Sequence, residues 1–182
     1  MAGAAVAVLL IVVLIVLVFA LTGTSGNHNN TAASSIAAST TTVAAAVSAK
    51  GKPCVAFADT LPKGAPAVPV QVGPPPTSLV KKDLKIGRGP VVPAGAKVEV
   101  NYIGVACSTG KIFDSSYGKQ PVTADLKQGV IAGWIKGVPG MRVGGRRLLG
   151  IPSADAYGPS SPAPVIAPDE ALWFVVDAVS LK

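Results

Sequence analysis

The sequence predicts an α+β domain in its C-terminal part, an antiparallel β-sheet packed on one short α-helix, preceded by an N-terminal transmembrane helix and a disordered tether. Three patterns carry that prediction. An unbroken apolar run from Ala4 to Leu21 opens the chain, close to the roughly 20 residues that a bilayer core requires. Segments beyond Leu79 alternate polar and apolar side chains, the period of half-buried strands. From Val130 to Met141 the apolar period becomes helical.

The 182 residues suffice for one ordinary domain plus appendages. Residues 1–23 read as the membrane segment, because a buried soluble helix would carry polar residues at helical spacing. A cleaved signal peptide would have a basic start, a shorter apolar stretch and a small-x-small site. Here no Lys or Arg precedes the run and Thr24-Ser25-Gly26 is a mediocre site, which favours an uncleaved signal anchor. Charge does not orient the segment, since both near flanks lack Lys and Arg. The linker and cysteines suit an extracytoplasmic domain on a single-pass cell-membrane anchor. Secretion after cleavage is the alternative.

Residues 24–50 are dominated by Thr, Ser, Ala, Gly and Asn, with no bulky apolar pattern to offset ordering entropy, and read as a flexible linker. Asn29-Asn30-Thr31 matches a glycosylation sequon. Residues 51–77 turn to Pro, Val and Ala and end in Pro74-Pro75-Pro76, the composition of a stiff extended arm. Residues 78–182 form the folded domain. In it Lys97 to Tyr102 alternates as a strand buried on one side, with Val98, Val100 and Tyr102 inward. Ser108-Thr109-Gly110 turns into a strand at Lys111-Ile112-Phe113. The helix buries Ile131, Trp134, Ile135, Val138 and Met141, while Gly133, Gly137 and Pro139 keep it short and dependent on packing. Arg146–Ile151 and Leu172–Leu181 are further strands, the latter with Leu172, Phe174 and Val176 on one side.

Composition excludes several chemistries. The net charge is +7, but the basic residues are scattered and aromatics make up 5%, unlike the concentrated stripe of a nucleic-acid binder. No nucleic-acid partner is expected; a basic surface of this kind is attracted to an anionic envelope or membrane. The single histidine, His28, lies in the tether, so Ser115 and Ser116 have no imidazole partner. No phosphate-binding glycine loop occurs. Asp114, Asp125, Asp155, Asp169, Glu170 and Asp177 show no glycosidase-like pairing. The two cysteines, Cys54 and Cys107, are too few for zinc. They read as one disulfide in an oxidising compartment or as two unrelated thiols. No cofactor or metal is expected. Binding remains, or catalysis without proton transfer.

Two ordered runs then carry a resemblance. Val100-Asn101-Tyr102-Ile103-Gly104 with Gly110-Lys111-Ile112-Phe113-Asp114-Ser115-Ser116 resembles the first signature of the FKBP-type peptidyl-prolyl cis-trans isomerases. Val130-Ile131-Ala132-Gly133-Trp134, Gly137-Val138, Gly140-Met141 and Val143 to Arg147 resemble the second. Ile151-Pro152, Ala156-Tyr157-Gly158, Ile166-Ala167-Pro168 and Leu172 to Val176 complete the order across Leu79 to Lys182.

The resemblance implies a curved sheet wrapped on the helix, with a shallow apolar pocket between them. It puts Trp134 at the pocket floor and Tyr102, Phe113, Val130, Ile131 and Phe174 around it. Asp114 and Tyr157 become polar rim groups, the Ile131 amide a donor to a bound carbonyl, and Ile166 part of a flap. The implied clients are proline-containing polypeptides folding beyond the membrane. A non-catalytic or weakly catalytic binding module or chaperone is the alternative. Without the resemblance, Trp134 and Phe174 read as core, Asp114 as a turn cap and Tyr157 as a turn anchor. The sequence departs from the family at Val122 and Ala124, where relatives carry aromatics, and its flap, Pro159 to Pro164, lacks histidine. Those departures imply a wider pocket and reduced affinity for macrolides of the tacrolimus or rapamycin type.

Overall fold

The computed structural model describes residues 47–182. The expected membrane segment, the sequon and nearly all of the expected tether lie outside the described residues. Within them the strands are β1 (Val80–Lys85), β2 (Lys97–Ala106), β3 (Ile112–Ser115), β4 (Val122–Asp125), β5 (Arg146–Ile151) and β6 (Leu172–Leu181), with one α-helix, α1 (Ala132–Gly137). They form an antiparallel sheet in the order β1-β5-β6-β2-β3, with β4 also pairing β2. β2 and β6 are its spine, in a register that sets Tyr102 opposite Val176 and Gly104 opposite Phe174. On its other side β2 changes partner, pairing β4 from Lys97 to Val100 and β3 from Ile103 to Val105. Tyr102 sits at that break.

The helix lies on β5 because two of its residues have no side chain. A Cβ on Gly133 would come within 2.4 Å of Ile151, and one on Gly137 within 2.8 Å of Leu149. The glycines that weaken the helix by about 1 kcal/mol each are what let it approach the sheet. The buried stripe is therefore Gly133, Trp134 and Gly137. This corrects the expectation for Ile135, which is exposed on the far side. Val138 and Met141 are buried as expected, just beyond the helix end. Arg147 clamps that end, donating from Nη1 to the carbonyls of Gly137 (2.8 Å) and Pro139 (3.1 Å).

The one-sided strand expected at residues 97–102 holds, with Val98 and Val100 buried and Lys97 exposed, but the rest of β2 and most of β6 are buried on both faces. Val98, Val100, Leu172, Phe174 and Val176 do share the helix face. Ile103, Val105, Leu148, Trp173 and Val175 point the other way and form a second buried cluster with Cys54 and Val68. The cover is the proline-rich arm. Its backbone is tied down by Val55 N–H to Cys107 O (2.9 Å) and Ala58 N–H to Gly110 O (3.0 Å). Asp59 accepts from the Ile112 N–H at 2.6 Å, and Cys54 and Cys107 form a disulfide. The end of the expected tether is docked as well: Ala49 is 4% exposed and donates its N–H to Pro168 O at 2.8 Å. Among the described residues no helix is long and apolar enough to cross a membrane.

Candidate active site

On the helix-covered face the packing leaves a hollow. Tyr102 enters from β2, Phe113 from β3, Trp134 from α1 and Phe174 from β6. Trp134 meets Tyr102 edge-on with ring centroids 5.3 Å apart, and meets Phe174 edge-on at 5.5 Å. Phe113 and Phe174 make a third edge contact at 5.4 Å. Each such pair contributes about 0.5–1.5 kcal/mol beyond area burial, so the walls brace one another. Gly104 makes the arrangement possible, since a Cβ there would lie 2.5 Å from Phe113 Cζ and 2.8 Å from Phe174 Cε1.

The resulting cavity has a volume of about 240 Å³. Val122 and Ala124 from β4 and Gly129, Val130 and Ile131 from the approach to α1 complete its apolar lining. That volume lies below the about 300 Å³ at which pockets for drug-sized ligands begin, and suits one ring or side chain. Among the described residues no three His, Cys, Asp or Glu side chains gather as metal ligands.

Two lining residues bring polarity to the rim, Asp114 and Tyr157. The Tyr102 hydroxyl donates to Asp114 Oδ2, and the Ser115 N–H donates to Asp114 Oδ1 at 2.8 Å. The carboxylate is thereby fixed in direction while remaining exposed, and its unused lone pairs can face a ligand. Burial, then the hydrogen bond to Asp114, pushes the Tyr102 phenol well above its usual range. Burial, then the Asp114 charge, also pushes Tyr157 up. Both phenols stay protonated at neutral pH and act as donors. The Ile131 carbonyl accepts from Trp134 N–H at 2.9 Å, while the Ile131 N–H has no hydrogen-bond acceptor among the described residues. Trp134 is 6% exposed, and its Nε1 has no partner among them. Rotation about a partial double bond needs no proton transfer, and this arrangement of apolar walls and rim donors is suited to that task.

Comparison with known proteins decides the matter. A family model described as FKBP-type peptidyl-prolyl cis-trans isomerase matches residues 89–179. The chain belongs to that family. A "Probable FK506-binding protein" from Corynebacterium glutamicum is 42% identical over 115 residues, 63% of this chain and 97% of that one. An "FK506-binding protein" from Streptomyces anulatus is 48% identical over 119 residues, 64% of this chain and 96% of that one. A crystal structure of a peptidyl-prolyl cis-trans isomerase from Pseudomonas syringae shares 32% identity with a TM-score of 0.53, covering 66% of this chain and 84% of that one. The activity of this FKBP-type enzyme is peptidyl-prolyl cis-trans isomerisation.

The FKBP cavity gathers Tyr102, Phe113, Asp114, Trp134, Tyr157 and Phe174, together with Val122, Val130 and Ile131. Ile166 is the exception. It is 3% exposed and packed in the helix-side core, absent from the cavity lining, because the turn from Ala163 folds it inward through its N–H to Ala163 O at 2.9 Å. Gly129 joins the lining through its backbone, and composition offers no signal for that.

Proposed function

We propose that the cavity seats the prolyl ring of an X-Pro segment and lowers the barrier to its rotation by favouring the twisted imide. The planar form is held by resonance against a barrier of about 18–20 kcal/mol, and uncatalysed exchange takes tens of seconds or more. Planarity carries charge separation between oxygen and nitrogen, which apolar walls disfavour; the twisted form is less separated. A pocket that binds the twisted form better than either planar isomer is catalytic by differential binding alone. Asp114, aimed by Tyr102 and Ser115, presents negative charge to the carbonyl carbon, which loses nitrogen's donation on twisting. Tyr157 and the Ile131 N–H donate to substrate carbonyls. The observation that carries this reading is the open hollow between mutually braced aromatics, with no imidazole or thiol in its lining.

A proline-peptide isomerisation assay on the full chain tests it. Asp114→Ala removes a charged partner worth about 1.5–3 kcal/mol, so kcat/KM falls by at least about tenfold. Tyr157→Phe falls less. Unchanged rates in both variants would show that the hollow is not the catalytic site.

The same proposal places the domain outside the cytoplasm on its N-terminal apolar segment. The Cys54–Cys107 disulfide supports this, since such bonds persist in oxidising compartments. Protease added to intact cells removes the domain if the placement is right and spares it otherwise. Tacrolimus-type macrolides bind weakly in this reading, because Val122 is 44% exposed and Ala124 is small. Calorimetry should find Val122→Phe about tenfold tighter, a gain of about 1.4 kcal/mol.

A further inference from the structure

The edge of the sheet remote from the cavity carries a surface that isomerisation does not use. β1 is an edge strand, hydrogen-bonded only to β5, and it presents Lys81, Lys82 and Lys85 to solvent. Arg88 follows in the next turn. Arg142 comes beside it, donating from Nη1 to Gly89 O at 3.2 Å. None of these five cations has a carboxylate within ion-pair distance among the described residues. The one acidic residue of the strand, Asp83, is held instead by Arg147, with Nε to Oδ1 at 2.6 Å and Nη2 to Oδ2 at 3.1 Å. The neighbouring Asp177 is likewise taken by Arg146, at 2.6 Å and 2.7 Å. The local excess of positive charge is therefore not compensated.

Beside three of these cations, Lys85, Arg88 and Arg142, stands Ile86, 76% exposed. It borders one shallow cleft with Lys85 and Arg88 and another with Lys85 and Arg142. Its outward direction is built in. The next residue, Gly87, is buried, and a Cβ there would lie 2.3 Å from Val143 O. The turn is also pinned by Gly89 N–H to Val143 O at 3.0 Å. Lysines on an edge strand guard against strand-to-strand aggregation, which accounts for Lys81 and Lys82. It does not account for a fixed, projecting isoleucine among arginines, with the exposed Val179 lining the same cleft. A nucleic-acid surface would interleave aromatics for stacking, and none borders either cleft.

We propose that the end of β1 and the turn after it dock the domain on an anionic phospholipid bilayer, with Lys85, Arg88 and Arg142 on headgroup phosphates and Ile86 entering the boundary between headgroups and acyl chains. Cations and apolar groups act together at such interfaces. This face shares no residue with the cavity, so a docked domain keeps its isomerase pocket open to clients. The inference stands on this surface and needs no N-terminal anchor.

Hydrogen-exchange mass spectrometry on the full chain tests it, with vesicles of phosphatidylcholine alone and of phosphatidylcholine mixed with phosphatidylglycerol. Any insertion of the apolar N-terminus is common to both, so the comparison isolates the charge. Amides of residues 81–91 should exchange at least about fivefold more slowly on the anionic vesicles only, the factor for about one basic residue's attraction. Lys85→Glu with Arg88→Glu, and separately Ile86→Ser, should each abolish the difference while peptide isomerisation stays unchanged, which verifies the fold. Equal exchange on both vesicle types overturns the proposal, as does slowing that survives the variants. A duplex oligonucleotide that protects the same segment and displaces the vesicles would assign the face to nucleic acid instead.

Discussion

Two tryptophans on opposite faces of one sheet show how this chain separates stability from function. Trp173 is 1% exposed and donates its indole N–H to Cys54 Sγ at 3.2 Å. Its ring lies over Gly150, where a Cβ would come within 2.6 Å of it. Trp134, on the helix face, has a hollow above it and an indole N–H with no acceptor among the described residues. The arm face is packed and cross-linked. The helix face is left incompletely filled, at the hollow proposed as the catalytic site. A close-packed interior tolerates few voids, so a hollow maintained by braced aromatic edges marks a place where packing has been kept from closing.

The largest effect that probes this contrast comes from the arm. Cys54→Ser with Cys107→Ser opens a loop with a sequence separation of 53, which costs about 4 kcal/mol on the chain-entropy model. The measurement is thermal or urea unfolding. At temperatures where the variant remains folded, kcat/KM toward a peptide should stay within about twofold of the parent, because no arm residue lines the cavity. A loss of activity parallel to the loss of stability would erase the division between the faces.

A smaller effect, confined to the helix face, comes from Gly104→Ala. The new Cβ would sit 2.5 Å from Phe113 Cζ, and relieving such overpacking costs about 1–3 kcal/mol. Much of that strain is relieved by moving Phe113 into the hollow, so activity should fall by about tenfold or more while the disulfide still forms. If activity is kept and only stability drops, the two rings have shifted away from the cavity and the bracing argument fails.

This contrast also explains what was legible in the sequence. The pocket was readable because its residues sit at motif spacings on regular elements: Tyr102 and Gly104 on one strand, Phe113 and Asp114 on the next, and Trp134 on the helix. The arm face was not. Ile103 and Val105 continue the alternation of β2 on the other side, yet alternation cannot say whether the outward face meets water or another part of the chain. The arm that covers it has no periodic pattern, and its contacts are set by single residues such as Val68, Asp59 and Cys54. Ile135 failed for a related reason, because a residue at helical spacing is pointed by local geometry, here a six-residue helix, rather than by its period. Ile166, placed by the family resemblance and not by period, is turned inward by the tight turn from Ala163.

The smallest effect expected is none, and it is the sharpest check on the chemistry. The domain from residue 47 onward has no histidine, so no imidazole limb is expected near pH 6.5. The folded Tyr102 phenol is raised above its ordinary value by burial and then by its bond to Asp114. A raised value favours the protonated form in the folded state. Its contribution to stability is therefore complete below the unfolded phenol's pKa of about 10, and is lost only as pH climbs through the folded value. Tyr157 is raised in the same direction. The logarithm of kcat/KM against pH should thus be level from about pH 6 to about pH 9, with unfolding by denaturant equally insensitive to the phenols there. A limb inside that window would mean that turnover depends on a group titrating there, which neither an imidazole nor the two raised phenols can supply.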